Sequence, residues 1–69
     1  MSSKLSTIGR NIKKYRARRD ISQDKLSKLA GITLHTITKI ESGATLDPRI
    51  KTVKKIADAL GVSIDDLMK

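Results

Sequence analysis

Residues 21–43 read ISQDKLSKLAGITLHTITKIESG, and the punctuation of this stretch decides the fold. Ser22 stands where a helix N-cap is wanted, because its hydroxyl can accept from the otherwise unpaired N–H groups of a first turn. From Gln23 to Ala30 the apolar residues Leu26, Leu29 and Ala30 recur at helical spacing and share a face. Gly31 lets that helix stop, since the left-handed residue that closes a helix is tolerated most readily without a Cβ. Thr33 caps the next helix, from Leu34 to about Ser42, and Gly43 ends it. Two short helices around a turn at Gly31 have the spacing of a helix-turn-helix over residues 23–42.

The second of these helices has an unusual outer face. Ile37 and Ile40 point inward by the 3.6-residue period, and the opposite side centres near His35, Thr38, Lys39 and Ser42, with Leu34 and Thr36 on its flanks. Charged residues make up 32% of the chain, yet Lys39 is the one cation this face exposes. A helix that enters a major groove has this character, because base edges are met at close range by donors, acceptors and methyl groups rather than by long paired charges.

Working outward, every other segment also reads as helix. Ile8, Ile12 and Tyr15 recur at helical spacing over about residues 7–18, and Leu5 extends the stripe. Asp47 and Pro48 read as an N-cap and first turn of a helix over about residues 48–60, which turns Ile50, Val53, Ile56, Ala57 and Leu60 inward and stops at Gly61. Ser63 caps a last short helix, residues 64–68, with Asp66 as the acid of a capping box and Ile64, Leu67 and Met68 as apolar surface. No stretch alternates apolar and polar residues in the manner of a strand. The expectation is an all-α, compact five-helix unit in which residues 1–69 make one domain.

Composition narrows the function. There is no cysteine and one histidine, His35, so no metal site is expected, since zinc needs three or four convergent ligands. With scattered acids besides, no catalytic constellation is visible; no enzyme activity, cofactor or small-molecule ligand is expected. No apolar run is long enough to span a bilayer and the basic N-terminal stretch is not a secretory signal, so a cytoplasmic protein without a membrane role is expected. Fifteen Lys and Arg against seven Asp and Glu give a formal charge of +8, which points to a polyanion. Lys4, Arg10, Lys13, Lys14, Arg16, Arg18 and Arg19 all precede the first acid, whereas residues 56–68 hold Asp58, Asp65 and Asp66 and no cation. The basic run is either a phosphate-facing surface or a solvated helix face. Tyr15 is the single aromatic residue, which argues against stacking on single strands and for contact with duplex.

The run ISQDKLSKLAGITLHTITKIESG, followed by DPRIKTVKKIADALGVSIDDLM, resembles the lambda-repressor/Cro-like, or Xre, helix-turn-helix family from about Ile8 to Met68. Gln23, Ala30, Gly31, Ile37, Glu41 and Pro48 are among the matched positions, together with the segment from Leu60 to Ser63. The resemblance implies a transcriptional regulator, most often a repressor, that binds a palindromic operator in double-stranded DNA as a homodimer. By position it implies base contacts from Leu34, His35, Thr38 and Lys39, and phosphate contacts from Gln23, Thr33 and Arg49. It pairs Arg16 with Glu41 as a structural ion pair and so removes Arg16 from the DNA contacts. Ser27 stands where the family often has alanine, and its hydroxyl then needs a partner. Val62, Ile64 and Met68, at the acidic end, are the candidate dimer interface; they either meet a second copy or only close the core. The rival function is that of a DNA-binding antitoxin, or a protein-interaction module, in a toxin–antitoxin pair.

Overall fold

Ser22, Thr33 and Ser63 each stand just ahead of a helix, in extended backbone, and each hydroxyl accepts from the N–H three residues on. These caps set the layout of the computed structural model, which describes residues 7–45 and 48–69. Among the described residues the chain forms α1 (Thr7–Arg19), α2 (Gln23–Ala30), α3 (Leu34–Ser42), α4 (Ile50–Leu60) and α5 (Ile64–Met68), with no strand. Asp66 returns the favour at α5, accepting from the Ser63 N–H at 3.0 Å. Those backbone and hydroxyl bonds to Ser63 hold its carboxyl below the ordinary carboxylate value.

Three helices end in one way. After α2 and α4 a left-handed glycine donates to the carbonyl three back, Gly31 to Lys28 and Gly61 to Asp58, and the next residue, Ile32 or Val62, donates to the carbonyl five back. At the end of α1 the same pair of bonds runs from Asp20 to Ala17 and from Ile21 to Arg16, with Asp20 held at φ 56°. Ile21, Ile32 and Val62, the apolar residues that follow, pack against the core. Each turn therefore reverses the chain and returns it to the interior.

All five helices share that interior. Ile12, Leu26, Ile37, Ile40, Val53, Ile56, Leu60 and Leu67 are sealed from solvent. Each fully buried aliphatic side chain stabilises by about 1.5–3 kcal/mol against exposure, so this cluster is the main support of the fold. α1 lies against α3 on one side and α5 on the other, while α2 packs on α3 and α4. Asn11 ties α1 to α5 by donating to the Leu67 carbonyl at 2.7 Å.

The structure differs from the sequence reading at three places. Leu29 is 53% exposed, because Leu26 and Ala30 take the buried centre of the α2 face and Leu29 is left at its edge, over a groove toward Tyr15 and Val62. Ile50 is 65% exposed: it begins α4, one turn ahead of Val53, the first residue of that helix that the others cover. The fourth helix spans 50–60 rather than 48–60, since Arg49 is extended at ψ 147° and serves as its N-cap, with no side-chain bond, leaving Pro48 ahead of the helix. Asp47 and the predicted capping role, and Leu5 and Lys4 of the first segment, lie outside the described residues.

Candidate nucleic-acid interface

The inner side of α3 is held by polar chemistry as well as by Ile37 and Ile40. Glu41 is buried on this side, and the Arg16 guanidinium reaches it from α1 with two parallel bonds, Nε to Oε2 and Nη2 to Oε1, both 2.9 Å. The remaining arm of Arg16, Nη1, donates to the Ile21 carbonyl at 3.0 Å. Gln23, the first residue of α2, adds a third bond to the same carboxylate, Nε2 to Oε1 at 3.0 Å. The hydrogen bond to Glu41, the leading influence, raises the Arg16 pKa above its ordinary value; partial burial opposes it and the Glu41 charge assists. One carboxylate thus joins the three helices of the N-terminal half.

Backbone approach completes this seam. A Cβ at Gly9 would stand 2.5 Å from the Ile40 carbonyl oxygen and 3.0 Å from that of Glu41, so α1 and α3 touch main chain to main chain. The sequence reading missed Gly9. Its signal was available: Gly9 and Arg16 lie two helical turns apart on α1 and therefore on one side of it. The reading also missed the bond from Gln23 to Glu41, which occupies one amide hydrogen and leaves the rest of that amide for other contacts. Ser27, buried in α2, satisfies its hydroxyl by donating to the Asp24 carbonyl at 2.7 Å.

The outer side of α3 is uncommitted by comparison. His35 and Lys39 are exposed, and Leu34 is 40% exposed despite its apolar chain. Thr38 is half-buried and its hydroxyl donates to the His35 carbonyl at 2.9 Å, which leaves the oxygen able to accept. Thr33 caps α3 and its hydroxyl also meets that of Thr36 at 2.9 Å. Beyond α3, Arg49 is exposed at the start of α4 with no ion pair among the described residues. Leu34, His35, Thr38 and Lys39 thus lie on one helix, whereas Gln23 and Arg49 head the helices on either side of it.

The residues expected to meet a second copy belong to α5 and the turn before it. Val62 and Ile64 are half-buried against the core and line a shallow groove with Lys54, Asp58 and Asp65, while Met68 is 54% exposed on α5. Among the described residues no cluster of three or more His, Cys, Asp or Glu is placed to hold a metal ion, and no helix is long and apolar enough to cross a membrane.

A helix-turn-helix family model matches residues 12–67. MJ0272, an HTH-type transcriptional regulator of Methanocaldococcus jannaschii, is 41% identical over 56 residues, which are 81% of this chain and 83% of that protein. RghRB, an HTH-type transcriptional regulator of Bacillus subtilis, is 34% identical over 64 residues, covering 93% of this chain but 46% of the relative, so the chain spans less than half its length. The fold is that of the N-terminal DNA binding domain of SinR from Bacillus subtilis, with a TM-score of 0.89, 30% identity and 93% of each chain covered.

Proposed function

Because this chain belongs to the lambda-repressor/Cro-like, or Xre, helix-turn-helix family, we propose that it is a sequence-specific, double-stranded-DNA-binding transcriptional regulator that represses by occupying a palindromic operator as a dimer. The observation that carries the reading is the contrast between the two sides of α3. One side is tied down by Glu41, and the other presents Leu34, His35, Thr38 and Lys39 without covering charge pairs. In the major groove His35 and Lys39 would meet base acceptors, and Leu34 and the Thr38 methyl would meet thymine methyls. Gln23 would use its remaining amide hydrogen on a phosphate at the N-terminus of α2, where helix N–H groups also favour an anion. Thr33 and Arg49 would take the flanking phosphates, fixing register without reading sequence.

A single helix reads few base pairs, and two related by symmetry read half-sites about 34 Å apart. Val62, Ile64 and Met68, with Asp58 and Asp65 beside them, are the surface we assign to the dimer, since the cations at that end, Lys54 and Lys69, are each paired with an aspartate, Asp58 and Asp66, and so repel a second copy less than the bare cations of α1 would. Such a regulator works where its DNA is, in the cytoplasm.

The test is selection from a random duplex library at about physiological salt, followed by titration of the enriched duplex and a scrambled control. An inverted repeat bound at least about a thousandfold tighter than the scramble supports a dimeric operator reader. Equal binding of both, with a steep salt slope, would leave a basic protein that reads nothing.

A further inference from the structure

Gly9 and Arg16 mark the side of α1 that meets α3. At 100° per residue Lys13 stands about 40° from Gly9, near that side, whereas Arg10, Lys14 and Arg18 stand about 100°, 140° and 180° away. All three are exposed. They follow one another at intervals of four residues, so their heads form a stripe with steps of about 6 Å along the helix. Lys69, from the end of α5, joins the stripe at a groove it lines with Thr7, Arg10, Asn11 and Lys14.

Among the described residues Arg10, Lys14 and Arg18 take part in no ion pair. Lys14 and Arg18 instead flank the Tyr15 ring, at 5.2 and 5.5 Å from its centroid, a contact that steadies both cations while leaving their charge unneutralised. The acids nearby are Asp66, which pairs with Lys69 at 3.9 Å and also feels the charge of Lys14, and Asp20 at the end of α1. The stripe is therefore a cationic surface turned away from α3. Arg10, Lys14 and Arg18 thus point away from the side of α1 that meets α3, and a duplex held by the outer face of α3 lies on the far side of that seam.

What fits the stripe is a regular array of negative charge. On the outward side of α1 the only apolar side chain among these cations is Ala17, so the stripe lacks the apolar face with which a helix beds into a membrane; Tyr15 borders it at Lys14 and Arg18, and Arg10 and Lys69 lie beyond that ring with no aromatic or aliphatic anchor between them. Phosphates along a duplex need no such anchor, because release of their counterions supplies the binding free energy. We infer that Arg10, Lys14, Arg18 and Lys69 form a second, sequence-independent duplex-binding surface, by which a molecule seated on one DNA segment through α3 holds another. The inference rests on the reading of α3 given above.

A bridging assay separates the two. The enriched duplex is immobilised, saturated with protein and washed, and a labelled duplex of unrelated sequence is added across a range of salt. The wild-type protein is expected to retain the labelled duplex with a log–log salt slope of about −3, the value for roughly three phosphates. The variant Arg10→Gln/Lys14→Gln/Arg18→Gln should bind the immobilised duplex and lose at least about tenfold in capture of the labelled one. Because Lys14 and Arg18 brace Tyr15, the variant Arg10→Gln/Lys69→Gln, which spares that contact, is a second probe and should lose about threefold. Capture that survives both variants would assign bridging to two α3 helices of a dimer and overturn the inference, as would immobilised protein that captures nothing. Failure to load the immobilised duplex at all would instead overturn the reading of α3.

Discussion

The two sides of α3 share nine residues and little else. On the inner side Glu41 is 4% exposed and accepts from Arg16 and Gln23, and the helix backbone lies against that of α1 at Gly9. On the outer side the hydroxyls of Thr38 and Ser42 fold back onto carbonyls of their own helix, and the remaining groups face solvent. Rigidity and availability are thus divided between the two faces of one helix. The reading face proposed for α3 would need this division, since a side chain displaced by about 1 Å no longer meets a base edge, and the order would have to come from the other face.

The strongest way to break the comparison is to unpair Glu41. Arg16→Met leaves the carboxylate buried with Gln23 alone, and removing one partner of a buried pair destabilises by about 3–5 kcal/mol. Arg16 keeps 20% of its side chain in contact with solvent, so the lower limit applies, about 3 kcal/mol, read as a shift of the urea midpoint. Arg16→Met/Glu41→Leu should recover most of that loss, because no buried charge remains. Its operator preference should nevertheless be poorer than its stability suggests, if the pair orients α3.

Next comes Gly9→Ala. Alanine gains about 1 kcal/mol of helix propensity, but its Cβ meets two backbone carbonyls that cannot rotate away, and overpacking of this kind costs about 1–3 kcal/mol or more. A net loss of about 1–2 kcal/mol in thermal or urea unfolding is expected. Unchanged stability would mean that the seam can open without penalty, and the inner face would then not be the rigid one.

How much of this was legible depended on how local the cause was. Ser22, Thr33, Gly43, Gly61 and Ser63 could be read because a cap acts within one turn of the residue that makes it. The outer face of α3 was equally readable, since periodicity alone separates it from Ile37 and Ile40. Leu29 and Ile50 went astray for a different reason: periodicity gives the direction of a side chain and says nothing of whether another helix extends far enough to cover it. The bond from Gln23 to Glu41 depends on how closely separate helices approach, which no single segment encodes, and Gly9 had a local signal only in sharing a side of α1 with Arg16. Asp20 is harder still, as a non-glycine residue in left-handed backbone is set by the turn around it.

On the outer face the expected effects are smaller and concern binding alone. Lys39→Ala removes an exposed cation whose side chain makes no hydrogen bond or ion pair among the described residues, so unfolding should move by no more than about 0.5 kcal/mol. Discrimination between bases at one position of each half-site should fall by roughly 1 kcal/mol, measured by titrating single-base variants of the selected duplex. Arg49→Ala should weaken every duplex alike and reduce the salt slope by about 1. A uniform loss from Lys39→Ala would move that residue from the reading face to the backbone contacts.

The smallest effect lies where the seam meets a turn. Asp20 occupies the left-handed position that glycine fills after α2 and α4, and the turn it makes carries the Ile21 carbonyl to Arg16 Nη1. Glycine would relieve a left-handed strain of about 1 kcal/mol, and its freer unfolded chain would take back about 0.4–1 kcal/mol. Asp20→Gly should therefore raise stability by no more than about 0.5 kcal/mol in urea, with operator binding unchanged. A clear loss would mean that the aspartate side chain helps hold this turn. The support of Arg16, and through it of Glu41, would then begin one residue beyond α1 rather than within the helix pair.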